Sequence, residues 1–360
     1  MFRRPLLLLL LIALPTMAAG KSRPPMAPVT ISKTELAPGI YQFQVASDGY
    51  VEQLNCVAIV NDADVLVFDT TTRPSTARTI LSELRKITPK PVRFVVNSHW
   101  HPDHWSGNEV FAEANPELEI IATEKERDFM LNLASFWGSY LPKSLAGQEK
   151  SVAEQFASGK RPDGSSLTPE LRAQIALELQ QIRDMVGEQL KVKRTYPTLT
   201  YADRMTLRHG GREFQFISVT GDAAGTTVLY LPKERILITG DAVSYPLPYY
   251  TPPLSQHARS IRELAALDAA TIVPGHGPAF HDKSYMLLEA ELFEEVLRQV
   301  QAALRGGAAT IDEVQAKVDL GAFRNRFARG DADIARLFPA FTQGMVRKAY
   351  IELRDTKEIR

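Results

Sequence analysis

The segment Asn97-Ser98-His99-Trp100-His101-Pro102-Asp103-His104 gathers four potential metal ligands into six residues, directly after the apolar run Val92 to Val96. The chain has seven histidines among 360 residues, so three of them beside an aspartate in so short a span point to metal binding. Pro102 lacks a backbone N–H and biases His101 away from the α region, which predicts an extended loop here rather than a helix. In an extended chain, residues two apart project to the same side. His99 and His101 can therefore share one metal, while a turn at Asp103 and His104 aims the next pair at a second. Imidazole and carboxylate without thiolate are the donors of catalytic Zn²⁺, and of Fe²⁺ or Mn²⁺, more than of structural zinc. One or two such cations lower the pKa of bound water and polarise a substrate oxygen, the chemistry of a hydrolase.

His99-x-His101-x-Asp103-His104 resembles the signature of the metallo-β-lactamase superfamily. Later motifs agree in order: Gly240-Asp241 after the apolar run Ile236 to Thr239, and Pro274-Gly275-His276-Gly277 after Thr271 to Val273. The resemblance covers roughly Gly39 to Phe280. It implies an α/β fold, an αββα sandwich, with His99, His101 and a third ligand at one metal, and Asp103, His104 and His276 at the other. Asp241 would bridge them, and Asp103 and Asp241 would carry catalysis. Asp69 resembles the early aspartate of the family, which is structural. One element departs from the pattern. Gly221-Asp222-Ala223-Ala224-Gly225-Thr226-Thr227 stands where the family has Gly-His-Thr, so that Asp222 occupies the place of the third histidine. Three readings stay open: Asp222 is a ligand, the first site is weak or empty, or the fold has lost catalysis. A carboxylate there would make the first metal a weaker Lewis acid and favour harder ions.

These residues need a framework to hold them. Strands are predicted at Ile40 to Val45, Cys56 to Val60, Val65 to Asp69 and Val92 to Val96, with a helix from Pro74 to Ile87 whose Ile80, Leu81, Leu84 and Ile87 recur at helical spacing. A helix near Gly107 to Ala114 and a strand at Leu118 to Ala122 follow. A polar helical insertion then runs over about 124–196, with breaks expected at Pro142 and at Pro162-Asp163-Gly164. Strands resume at Met205 to Arg208, Glu213 to Ser218, Thr227 to Leu231, Ile236 to Thr239 and Thr271 to Val273. The expected organisation is a metallo-β-lactamase-like domain over 21–282 and a helical extension over 283–360, ending in an amphipathic stretch from Ile334 to Leu353.

Arg3 and Arg4, the apolar run Leu6 to Leu14 and small residues at Ala18, Ala19 and Gly20 have the layout of a signal peptide over 1–20. The run falls short of the ~20 residues of a spanning helix. A periplasmic or secreted protein starting near Lys21, with no stable membrane anchor, is expected. Basic and acidic residues balance at 42 each, and loss of Arg3 and Arg4 leaves 40 against 42, so no basic excess favours nucleic acid. Cys56 is the only cysteine, which excludes an internal disulfide and cysteine-rich zinc sites.

The partner expected is a small-molecule substrate; the oligomeric state is not readable. Carbonyl-type substrates (β-lactam, amide, ester or thioester) are the first expectation, with a β-lactam the best single choice. A mononuclear iron oxidoreductase of the same fold and an inactive metal-binding accessory protein are the alternatives. No Gly-x-Ser-x-Gly motif supports a serine hydrolase. Of the other residues, His209 reads as a solvated turn residue, and His257 and His281 carry no assigned role. Trp100 and Trp105 wall a pocket or pack in the core, and Phe136 and Trp137 flank them in the insertion. Tyr245 to Pro253, including Tyr249 and Tyr250, reads as a stiff apolar pocket wall.

Overall fold

The structure is a computed structural model that describes residues 29–46, 54–162, 164–251 and 253–355. The expected signal segment 1–20, Pro252 and the side chain of Phe136 lie outside the described residues. The described chain forms two compact units, one of residues 29–202 with 209–212, the other of 203–208 with 213–355.

The first unit is built on a seven-stranded sheet: β1 (Thr30–Ala37), β2 (Ile40–Ala46), β3 (Leu54–Val60), β4 (Val65–Phe68), β5 (Val92–Val96), β6 (Glu119–Thr123) and β7 (Leu199–Tyr201), in that spatial order. Pairing is antiparallel from β1 to β4 and parallel from β4 to β7. The apolar runs in β3 and β4 are buried almost throughout, as strands covered on both faces require. Strand β1 was not expected, because Thr-Ile-Ser-Lys-Thr-Glu-Leu-Ala is a largely exposed edge strand with little apolar signal. Helix α1 (Pro74–Ile87) has Pro74 in its first turn and buries Ile80, Leu81 and Leu84 against Val67, Val95 and Phe111 in the same core.

Two short helices follow β5: α2 (Pro102–Trp105) and α3 (Asn108–Ala114). The predicted extended loop through His104 is thus corrected. His101 is extended (φ −65°, ψ 138°), as the residue before a proline should be, but Pro102 itself opens a helical turn. A proline in the first helical turn gives up an N–H that has no intrahelical partner anyway.

The insertion consists of α4 (Glu124–Ser158) and α5 (Pro169–Gln189). Thr123 caps α4 by accepting from the Glu126 N–H, and Gly159, at φ +66°, ends it. The break expected at Pro142 does not occur, since α4 continues through it. An internal proline costs roughly 3 kcal/mol by removing a hydrogen bond and crowding the carbonyl four residues back. Here that residue is Gly138, and packing along α5 outweighs the penalty. Leu141 and Leu145 meet Ile182, Met185 and Val186, and Phe156 packs near Val152, Ile175 and Leu179. The break at Pro162 stands, with Thr168 capping α5. The end of α5 is fastened down: Glu188 accepts from Ser75 N (3.1 Å) and Ser75 Oγ (2.8 Å), Ser106 Oγ donates to Gln189 Oε1 (3.3 Å), and Gln189 donates to the Thr72 carbonyl.

The second unit carries a five-stranded sheet of β8 (Arg204–His209), β9 (Arg212–Val219), β10 (Thr226–Leu231), β11 (Ile236–Gly240) and β12 (Thr271–Pro274), in the order β12-β11-β10-β9-β8. Strand β10 is antiparallel to β9 and β11, and β11 is parallel to β12. The parallel pair brings the chain ends after Gly240 and Pro274 side by side. Helices α6 (Leu254–Ala265), α7 (Ser284–Arg305), α8 (Ile311–Gln315), α9 (Gly321–Ala328) and α10 (Ala332–Asp355) complete it. Their core joins Ile261, Leu292, Phe293, Val296 and Met345 to Val228, Leu237 and Ile272 of the sheet. The mixed α/β class, the helical insertion and the helical C-terminal region match the sequence expectation. Among the described residues no helix is long and apolar enough to cross a membrane.

Candidate functional site

In the first unit, the ligand motif leaves β5 and turns into α2 around one buried carboxylate. Asp69 follows β4 in the left-handed region (φ +59°), which aspartate tolerates. Its Oδ1 accepts from Ser98 N (2.7 Å), while Oδ2 accepts from Ser98 Oγ (2.8 Å) and faces His104 Nδ1 (2.7 Å). Burial pushes the Asp69 carboxyl upward, opposed by His104 and Ser98.

These contacts assign protons. The His104 Nδ1–H donates to Asp69, which leaves Nε2 as the lone-pair nitrogen. Ser98 Oγ spends its one hydrogen on Asp69, so at 3.0 Å it accepts from His99 Nδ1–H. His99 Nε2 is left as an acceptor too. That nitrogen stands 2.9 Å from His101 Nδ1, and His104 Nε2 stands 3.1 Å from Asp103 Oδ2. Two nitrogen sites directed at one another need a shared proton or a shared cation. His99 and His104 are fully buried, His101 and Asp103 partly so.

The turn itself is held by amides. Asn97 Nδ2 and Thr70 N donate to the His104 carbonyl at 3.2 and 3.0 Å, and Asn97 and Asn108 pair through both amides. Gly107 begins α3 hard against this loop, and a Cβ there would lie 2.0 Å from the Thr70 carbonyl oxygen. Trp105 is core, donating to the Trp100 carbonyl (2.8 Å). The Trp100 N–H donates to Glu126 of α4 (2.9 Å), and the Trp100 ring lies 4.3 Å from His101, 6.1 Å from Phe129 and 5.9 Å from Trp137. An aromatic face of α4, extended by Tyr140, thus packs on Trp100, and Trp100 in turn on His101. His209 is not a solvated turn residue: its Nε2 is 2.5 Å from Asp64 Oδ2, and its ring meets the Phe94 ring edge to face.

In the second unit, the turn after β11 carries Asp241 and the turn after β12 carries His276. The Gly275 N–H donates to the Gly240 and Val243 carbonyls (2.9 and 3.2 Å), and Tyr245 N donates to the His276 carbonyl (3.2 Å). His276 Nε2 consequently stands 3.3 Å from Asp241 Oδ2. Only glycine fits at 275, where a Cβ would fall 1.9 Å from Asp241 Oδ1. Asp222, also buried, donates its N–H to the Asp241 carbonyl (3.0 Å) and accepts from Thr251 Oγ1 (2.7 Å). Lys348 of α10 donates to the Thr251 carbonyl (3.2 Å), and burial lowers its pKa despite the pull of Asp222.

The stretch from Tyr245 to Pro253 divides its aromatics. Tyr245 packs on Phe280 and Tyr285, Tyr250 donates to the Phe341 carbonyl, and Tyr249 stands edge-on to the His276 ring at 5.1 Å. His281 is exposed and His257 buried. Glu126, Asn108 and Glu289 escaped sequence reading, because a lone acid or amide in a helix looks like a solvated position, and Ser98 because a lone serine in a loop does. The first unit so presents three imidazoles and a carboxylate, and the second one imidazole and two carboxylates, in largely buried settings, donor sets that fit a divalent cation.

The sequence profile described as the Metallo-beta-lactamase superfamily matches residues 49–276. The chain is 29% identical over 253 residues to a linear primary-alkylsulfatase from Pseudomonas sp. (strain ATCC 19151), covering 67% of this chain and 43% of that protein. It therefore spans less than half the length of this curated relative. Among solved structures, a stereoselective inverting sec-alkylsulfatase from Pseudomonas sp. superposes with a TM-score of 0.57 at 17% identity, over 89% of this chain and 50% of that one. A metallo-beta-lactamase from Pontibacter korlensis does so with a TM-score of 0.50 at 16% identity, over 73% and 99%. At these identities the superpositions speak for the fold alone.

Proposed function

The chain belongs to the metallo-beta-lactamase superfamily, and from that premise we propose that it is a divalent-metal-dependent hydrolase of a small sulfate ester with an apolar alcohol part. The observation that carries the metal reading is the proton assignment around Asp69, which presets both His99 and His104 with Nε2 as the donor. In this proposal, as the superfamily pattern implies, His99, His101 and Asp222 would hold one cation and Asp103, His104 and His276 the other, with Asp241 available to both. Zn²⁺ is the proposed ion, for which imidazole and carboxylate are usual ligands; Mn²⁺ and Fe²⁺ suit the same donors. When bound, the cations supply Lewis acidity toward a substrate oxygen and toward water.

The protein's own groups orient and shelter. Asp69 and Ser98 keep the ring protons of His104 and His99 on Nδ1, and Asn97 with Thr70 fixes the His104 backbone. The sulfate-ester reading rests on the alkylsulfatase relative. Trp100 packs on His101 and meets Phe129 and Trp137, and this aromatic cluster supports an apolar alcohol part, because such a surface favours a hydrocarbon over a charged or sugar-like group. Export also belongs to the proposal, supported by the basic and apolar N-terminal segment, with removal before Lys21.

The test is metal analysis of the purified protein, followed by a panel of alkyl sulfates, nitrocefin and simple esters, with Asp241→Ala as control. Release of sulfate that is lost in Asp241→Ala supports the reading. Turnover of nitrocefin alone moves the substrate to the β-lactam class expected from sequence. Turnover unaffected by Asp241→Ala refutes the site. N-terminal sequencing of the protein recovered from a bacterial periplasm checks removal at Lys21.

A further inference from the structure

The turn that carries Asp241 rests on buried polar side chains that no ligand motif includes. The Ser244 N–H donates to Glu289 Oε1 (3.1 Å), Tyr285 OH donates to the Ser244 carbonyl (3.1 Å), and His257 Nε2 is 3.0 Å from the Ala242 carbonyl. Glu289 and Tyr285 come from α7 and His257 from α6. The same turn passes to His276 through the Gly275 N–H on Gly240 and Val243 and the Tyr245 N–H on His276. A shift of residues 242–244 is therefore transmitted to Asp241 and His276 together.

Glu289 is the unusual member. Its side chain is fully buried, Oε2 has no hydrogen-bond partner among the described residues, and its helix neighbours Leu288, Leu292 and Phe293 are core. Desolvation raises its pKa well above the ordinary carboxylate range, and the nearby Asp241 charge pushes the same way. A glutamate in such a place is costly to bury and a leucine would fill it more cheaply. What leucine cannot do is accept from the Ser244 N–H.

We propose that Glu289 is a positioning residue for the Asp241 and His276 side of the metal centre, holding the 242–244 turn through a hydrogen bond to Ser244, with Tyr285 gripping the same residue from its carbonyl side. The proposal rests on the metal-site reading above. A neutral acid suffices for this role, since only the acceptor oxygen is used.

The test measures Zn²⁺ dissociation by competition with a chromophoric chelator in the purified protein, alongside thermal unfolding of the metal-free form. Glu289→Gln keeps the acceptor and should hold Zn²⁺ within about threefold of wild type, whereas Glu289→Leu should weaken it about 10- to 100-fold. Tyr285→Phe, which removes one hydroxyl from a well-packed site, should weaken it by a smaller factor and keeps the question answerable if Glu289→Leu does not fold. Folded Glu289→Leu or Tyr285→Phe protein with wild-type Zn²⁺ affinity and only a lowered unfolding temperature overturns the positioning role. Glu289→Gln as weak as Glu289→Leu overturns the neutral-acceptor account. A wild type that binds no Zn²⁺, Mn²⁺ or Fe²⁺ overturns the metal reading itself, a result distinct from either.

Discussion

Asp69→Asn separates charge and proton placement from backbone geometry, because asparagine tolerates the left-handed conformation at φ +59° as aspartate does. With Oδ1 still accepting from Ser98 N, the new Nδ2 donates toward Ser98 Oγ and His104 Nδ1, where the carboxylate now accepts. His104 must then carry its proton on Nε2. Ser98, no longer donating to residue 69, turns its hydrogen toward His99 Nδ1, 3.0 Å away, so His99 also moves its proton to Nε2. Both donor nitrogens are blocked by one exchange of oxygen for nitrogen. Loss of a ligand's hydrogen-bond partner costs about 10- to 100-fold in metal affinity. Two ligands affected at the lower figure give about 100-fold, or roughly 2.8 kcal/mol. Chelator competition reads the affinity, and ¹⁵N shifts of the imidazoles in metal-free protein read the tautomers. Asp69→Asn that binds Zn²⁺ within about threefold of wild type, or retains the Nδ1–H tautomers, refutes the proton assignment.

Other outcomes follow from the same geometry. Gly275→Ala places a Cβ 1.9 Å from Asp241 Oδ1, and a displacement on the order of 1 Å should lower kcat about 100-fold, measured together with metal content. Asp222→Ala should lose one metal per chain by elemental analysis if Asp222 is a ligand; equal stoichiometry and affinity would remove it from the site. Burial holds His257 below 6.5, so the unfolded chain takes a proton that the folded chain refuses, and the related stability is full above 6.5 and declines as pH falls below it. Urea unfolding at about pH 7.5 and about pH 5.5 should show a smaller acid loss in His257→Gln than in wild type. Phe129→Ala, at a residue 40% exposed, should raise KM for a long-chain alkyl sulfate up to about tenfold with kcat unchanged; an unchanged KM would detach the aromatic face from the substrate.

The candidate ligands stand out in the sequence because metal chemistry demands rare residue types at short spacing, and strands such as β3, β4 and β10 were legible as apolar runs. What escaped depends on three-dimensional company. Pro102 suggested extended chain and instead began a helical turn, since the restriction falls on His101 and not on the proline. Pro142 suggested a break, yet packing along α5 overrides local propensity. Ser98 and Glu289 are ordinary letters in ordinary places, and their roles appear only once Asp69 and Ser244 are seen beside them. The edge strand β1 and the three-residue β7 offered too little apolar pattern to register.

Helices α4 and α5 have small cores of their own and are fastened to the rest of the first unit by the Thr123 cap, Glu126 and the Glu188-Gln189 end. Between these anchors the helical hairpin shares no ligand with the metal motif. Its aromatic residues Phe129, Trp137 and Tyr140 can therefore drift through mutation while Asp69, His99 and His104 keep their proton pattern. If that aromatic face meets the substrate as proposed, selection can alter which molecules are admitted without reopening the question of how they are cut. The fastenings are the exception. A change at Glu126 or Gln189 touches the Trp100 N–H that leads into His101 or the Thr72 carbonyl three residues after Asp69, so these positions mark where the hairpin stops being free to vary.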